Sequence, residues 1–217
     1  MEKAAVLKRL QETGLVPVLR AASVEKAIAL AEAVAAGGVN VLEVTMTVPG
    51  AVEVIARLVR ERPEILVGAG TVLDPETAER CIGAGAKFVV SPALNLKTIA
   101  LCRRESIAVL PGALTPTEIV TAWEAGADVV KVFPCSALGG AKYLTTLKGP
   151  LPHIDLIPTG GVSLATAAEF LAAGAFALGV GSDLVDAKAM AAGKPEVITE
   201  TAKKYLQIVQ EHRSKKA

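Results

Sequence analysis

The sequence predicts one α/β domain over residues 1–217: eight parallel strands closed into a (β/α)8, TIM-type barrel, with an extra helix at the N-terminus. Three observations predict it. One unit recurs at Ala36 (AGGVNVLEV), Ala84 (AGAKFVVSP), Ala125 (AGADVVKVF) and Ala173 (AGAFALGVG). In each, Ala-Gly ends a helical stretch and a β-branched apolar run follows, as a glycine just past a helix C-terminus does. Four more apolar runs fall between these: LVPVLR from Leu15, ILVGAG from Ile65, IAVLPG from Ile107 and IDLIPTGG from Ile154. The runs are nearly continuous in apolar residues, as strands covered on both faces are. Alternating units with no linker favour a closed barrel over an open doubly wound sheet, and no G-x-G-x-x-G follows the first run.

The elements follow in order. MEKAAVLKRLQETG opens the chain as a charged amphipathic helix. Start signals precede later helices: Ser23 before VEKAIALAEAVA, Asp74-Pro75 before ETAERCIGA, Thr115-Pro116 before TEIVTAWEA, and Ser163 before LATAAEFLAA. Lys148 in LKGP is placed as a last-turn cation ahead of Gly149-Pro150. DLVDAKAMAAG and PEVITETAKKYLQIVQEHR are two final helices expected to cover the last strand and to close the barrel bottom or pack on a neighbour.

The chain is 52% hydrophobic but only 3% aromatic, so its core is built from Ala, Val, Leu and Ile. Its 23 basic and 22 acidic residues leave a net charge of +1. No global field therefore attracts nucleic acid or an anionic membrane, and anion recognition has to be local. Cys81, Cys102 and Cys135 are odd in number and far apart, which suggests neither a disulfide framework nor a zinc site. The N-terminus lacks the apolar stretch of a signal peptide and no run approaches the ~18 apolar residues of a membrane span, so a cytoplasmic location is expected. The two histidines, His153 and His212, lie in polar or terminal contexts, so acid–base work falls to other residues.

Lys131 interrupts the apolar run Val129, Val130, Val132 and Phe133, where an ammonium is costly to desolvate. Alternation places it on the face of Val129 and Phe133. Glu43, in VNVLEVTM, is the one carboxylate set in an apolar strand near its C-terminal end, where barrels of this kind carry their chemistry. If both face inward they meet across the interior. A structural ion pair and a reactive pair both fit these two residues alone. PTGGV, with Thr159, Gly160 and Gly161, and GVGSDL, with Gly181 and Ser182 expected to open a helix, supply close backbone approach and free N–H groups. They follow the seventh and eighth runs, the recurrent phosphate site of such barrels.

With these residues in place, the sequence resembles the 2-keto-3-deoxy-6-phosphogluconate (KDPG) and 2-keto-4-hydroxyglutarate (KHG) aldolase family. VPVLRA, AGGVNVLEVTMTVP, VGAGTVLDP, FVVSPALN, LPGALTPTE, VKVFPCS, PTGGV and GVGSDLV appear in order through nearly the whole chain. The resemblance implies that Lys131 forms a Schiff base with a 2-keto acid and that Glu43 moves the protons. It implies that Thr71, Pro92 and Phe133 line the pyruvyl pocket, and that Gly160, Gly161 and Ser182 contact phosphate. Some members carry arginine where this chain has Thr47, and Arg20 matches an arginine of other branches, which makes it the candidate anion contact. The resemblance also implies a homotrimer and no metal or other cofactor beyond the covalent imine. Three other readings remain open: an aldolase for the galactonate epimer, a sugar-phosphate isomerase or epimerase, and a non-catalytic assembly subunit on the same fold.

Overall fold

The computed structural model describes residues 1–215. After α1 (Lys3–Thr13), strands and helices alternate: β1 (Leu15–Leu19), α2 (Val24–Ala36), β2 (Val41–Thr45), α3 (Ala51–Glu61), β3 (Leu66–Gly70), α4 (Pro75–Gly83), β4 (Phe88–Val90) and α5 (Leu96–Arg104). Then come β5 (Ala108–Leu110), β6 (Gly112–Ala113), α6 (Pro116–Glu124), β7 (Val130–Val132), α7 (Ala141–Lys148), β8 (Leu156–Pro158), α8 (Ala167–Ala172), β9 (Leu178–Val180), α9 (Ala187–Ala191) and α10 (Pro195–Ser214). All strand pairs are parallel. They form a six-stranded sheet, β5-β4-β3-β2-β1-β9, and a three-stranded sheet, β6-β7-β8.

The run expected as one fifth strand is split, because Pro111 has no N–H to give to a ladder. Its carbonyl still accepts from Lys131 N–H at 2.9 Å, and Val109 O accepts from Asp128 N–H at 3.1 Å, so residues 108–113 join one sheet to the other. On the opposite side Phe176 N–H donates to Leu156 O at 2.8 Å, and Thr159 and Gly179 form a parallel bridge.

Three start signals work as local chemistry dictates. Ser23 accepts from Lys26 N–H, Asp74 accepts from Thr77 N–H, and Thr115 and Glu118 form a reciprocal capping box. Ser163 does not start a helix. Its N–H donates to Thr166 Oγ1 at 2.9 Å, and that hydroxyl donates to Gly161 O at 2.9 Å, so the segment folds as a turn and α8 begins at Ala167. Lys148 ends α7 as expected, its ammonium donating to the carbonyls of Pro152 and Ile154.

Alternate strand residues Val16, Val41, Leu66, Phe88, Ala108 and Val129 share one buried cluster with Val6 and Leu10 of α1. The N-terminal helix therefore closes the end where the strands begin, tethered by the Lys3–Asp128 ion pair at 2.8 Å. The C-terminal helices do not take that place: α10 packs on α2 and α8. Gly37 permits that approach, since a Cβ there would lie 2.5 Å from Ala202 Cβ.

Candidate active site

The candidate site residues lie at the middle of a strand or within three residues past its C-terminal end, and Glu43, expected near the end of its strand, is at the middle. Glu43 is central in β2 and Lys131 in β7. Arg20 follows β1, Thr47 lies two residues past β2, Thr71 follows β3, and Pro92 lies two past β4. Phe133 follows β7, Thr159 to Gly161 follow β8, and Gly181 and Ser182 follow β9. Glu43 stands level with Val18 and Gly68 on its neighbours, and Lys131 with Gly112 and Ile157. Because Val41 and Val129 belong to the inner cluster, the period-two alternation turns Glu43 and Lys131 inward as well.

There they meet. Lys131 Nζ lies 3.7 Å from Glu43 Oε1, with the two side chains only 6% and 3% exposed. Glu43 Oε1 has no hydrogen-bond partner among the described residues. Buried ion pairs that serve structure are closed by hydrogen bonds, because an unpaired buried oxygen costs about 1–3 kcal/mol or more. This pair is held beyond hydrogen-bond length, and its acceptor is closed by no protein donor among the described residues, unlike a pair built for structure alone. Lys131 Nζ also lies 5.5 Å from the Phe133 ring centroid, within cation–π range.

Phe133 links the pair to a cleft of about 440 Å³, whose lining includes Arg20, Thr159, Gly160, Gly161, Gly181 and Ser182. Gly160 and Gly161 have φ of 88° and 79°, and a Cβ on Gly161 would lie 2.5 Å from Ser136 Cβ, so this loop requires glycine. Ser182 does not open a helix. Leu184 and Val185 N–H both donate to Gly181 O, closing a turn, and the Asp186 carboxylate accepts from Lys188 and Ala189 N–H to start α9 at Ala187. Thr71 and Pro92 are not in the lining of this cleft. Thr71 has φ of 57°, a left-handed conformation that strains a β-branched residue and is typical of site residues.

Arg20 is oriented by a polarised chain. Thr45 Oγ1 donates to Leu19 O at 2.9 Å, which spends its one proton. At the 2.6 Å contact between the two hydroxyls Thr47 must then be the donor. The Thr47 oxygen is left to accept from Arg20 Nη1 at 3.3 Å.

A family model described as KDPG and KHG aldolase matches residues 6–201. The chain belongs to this family. It is 38% identical to the 2-dehydro-3-deoxy-phosphogluconate aldolase of Treponema pallidum, covering 94% of this chain and 97% of that one. It is 37% identical to the KHG/KDPG aldolase of Escherichia coli K12, covering 89% and 91%. The crystal structure of KDPG aldolase from Legionella pneumophila, with pyruvate captured at low pH as a covalent carbinolamine, superposes with a TM-score of 0.85. That protein is 31% identical, with 94% of this chain and 97% of the other covered.

The sequence reading missed the glycines that make room inside this aldolase. A Cβ on Gly70 would lie 2.0 Å from Glu43 Oε1, one on Gly179 would lie 2.1 Å from Thr159 Oγ1, and one on Gly112 would lie 2.2 Å from the Pro92 carbonyl carbon. Glycine inside a strand is the available signal, since it marks close approach of another group. Ser91 was also missed. Buried after β4, it donates to Ala93 O and accepts from Gly112 N–H, which fixes the backbone around Pro92. Burial pushes the aldolase's thiols up, Cys81 and Cys135 to about 11 and Cys102 to about 12, so none is a ready nucleophile. His153 packs edge-on against Trp123 in the segment leading into β8, at the end opposite the pair. Among the described residues no group of three His, Cys, Asp or Glu could hold a metal ion, and no helix is long and apolar enough to cross a membrane.

Proposed function

We propose that this chain is a class I aldolase that cleaves 2-keto-3-deoxy-6-phosphogluconate to pyruvate and glyceraldehyde 3-phosphate, and 4-hydroxy-2-oxoglutarate to pyruvate and glyoxylate. The observation that carries the reading is the buried Lys131 amine 3.7 Å from an orphaned Glu43 oxygen, next to an anion-suited cleft. The Lys131 amine attacks the C2 ketone, and loss of water leaves a protonated imine. Glu43 shuttles protons in those steps and then takes the proton of the 4-hydroxyl. The electrons of the C3–C4 bond flow into the imine, the aldehyde leaves, and an enamine of pyruvate remains. Protonation at C3 and hydrolysis return the free amine. No metal is required, because the iminium acts as the electron sink.

Arg20, positioned by Thr47, and the amides of Gly160, Gly161, Gly181 and Ser182 serve the substrate's anionic groups, while Thr71, Pro92, Phe133 and Thr159 border its keto-acid end. The two edges that join the six- and three-stranded sheets support one closed eight-stranded barrel, with β5 and β6 as halves of one strand, acting as a single domain. A homotrimer and a cytoplasmic location are carried forward from the family resemblance and the composition.

Incubation with pyruvate and borohydride followed by peptide mapping tests the mechanism. A reduced adduct on Lys131 is expected. Turnover of a 2-keto-4-hydroxy acid without such an adduct would overturn the mechanism, and an isomerase would yield neither.

A further inference from the structure

Asp183 is an unexpected neighbour for an anion. It follows Ser182 and lines the same cleft, where a carboxylate repels a phosphate unless its charge is taken up. Its Oδ2 accepts two hydrogen bonds. One comes from the Tyr205 hydroxyl of α10 at 2.5 Å, the other from Leu164 N–H at 3.1 Å. Leu164 belongs to the turn after β8 that begins at the glycine pair, and Asp183 belongs to the turn after β9. One carboxylate oxygen therefore ties together the two loops that cradle the anion. Tyr205 is fully buried, so its hydroxyl is fixed by packing on α10, and Asp183 is its hydrogen-bond partner. Burial and that carboxylate both raise the phenol's pKa, which keeps it a donor.

We infer that Asp183 and Tyr205 form a brace that sets the spacing of the two anion-binding loops, and that the brace tunes recognition of the substrate's terminal phosphate without touching the substrate. Both are positioning residues, and the inference rests on the proposed phosphate role of the cleft. The brace acts on the phosphate end alone, since the Lys131–Glu43 pair is held by β2 and β7. A hydrogen bond to a charged group carries enough free energy for about a tenfold change in affinity.

Tyr205→Phe removes one oxygen and keeps the ring. It is expected to raise KM about tenfold for the phosphorylated substrate while kcat and the KM for 4-hydroxy-2-oxoglutarate stay within about twofold. Binding of inorganic phosphate, followed by backbone amide shifts at Gly160, Gly161 and Ser182, should weaken by a similar factor. In an Asp183→Ala background the same substitution should change KM by less than about twofold, because the two groups act as a unit. Equal losses on both substrates, an unchanged KM ratio, or full additivity would overturn the brace. A native protein whose amides do not respond to phosphate would also overturn it, while the Lys131 adduct would still stand on its own measurement.

Discussion

Gly68 and Gly70 are two residues apart on the inner face of β3, and each makes room for one large side chain. A Cβ on Gly68 would lie 2.3 Å from the Phe88 ring, and one on Gly70 would lie 2.0 Å from the Glu43 carboxylate. The lower position serves an apolar layer of Phe88, Leu66 and Val41, closed off by Leu10. The upper one serves the ion pair. The same step occurs on β2 from Val41 to Glu43 and along the β7 segment from Val129 to Lys131. Rigid apolar packing thus lies one layer below a charged pair, an arrangement suited to the role proposed for that pair.

Substitutions in the two layers should separate chemistry from stability. Lys131→Ala should show the largest effect: no borohydride adduct and a loss of about 10⁴-fold or more in kcat, with the fold retained by circular dichroism. Phe88→Ala should cost about 3–5 kcal/mol in denaturant unfolding, since the ring is fully buried, and its kcat at low temperature should stay close to that of the parent. Gly70→Ala displaces the Glu43 carboxylate and should slow turnover on the order of 100-fold. Gly68→Ala should instead cost about 1–3 kcal/mol of stability and leave the rate largely intact. If these two alanines behave alike in both assays, the division into layers is wrong.

Thr47→Val breaks the chain from Leu19 O to Arg20 and should raise KM several-fold to about tenfold with little change in kcat, whereas Thr47→Ser should restore it. The smallest effect belongs to the strand-start end. Burial raises the Asp155 carboxyl's pKa, partly offset by Lys148, so the folded state holds its proton more tightly than the unfolded state does. Stability from this group is fully present below the ordinary value of 3.8 and is lost as pH rises through the folded value. Asp155→Asn should therefore raise Tm slightly at neutral pH, and the gain should vanish in acid.

The sequence singled out Lys131 and Glu43 because an apolar run leaves a charge conspicuous, and alternation, a local property, set Lys131 on the face of Val129. That both turn inward, and that Glu43 sits at the middle of its strand rather than near its end, came from the packing. Ser23, Asp74 and Thr115 were legible for the same reason, since a capping side chain bonds only two or three residues ahead. Ser163 and Ser182 were misplaced because each lies where a turn outcompetes a helix start, and the deciding partners, Thr166 Oγ1 and Gly181 O, give no pattern that announces them.

The sequence by itself determined the alternation of strands and helices, the all-parallel pairing, and the lysine, glutamate and glycine loops to which the proposed chemistry is assigned. Only the tertiary structure decided that α1 closes the strand-start end, that Pro111 divides a strand, that Gly70 houses a carboxylate, and that Tyr205 reaches Asp183. The division has a physical cause. Periodicity and capping are written within a few residues of chain, whereas close approach depends on which distant backbones the packing brings within van der Waals contact.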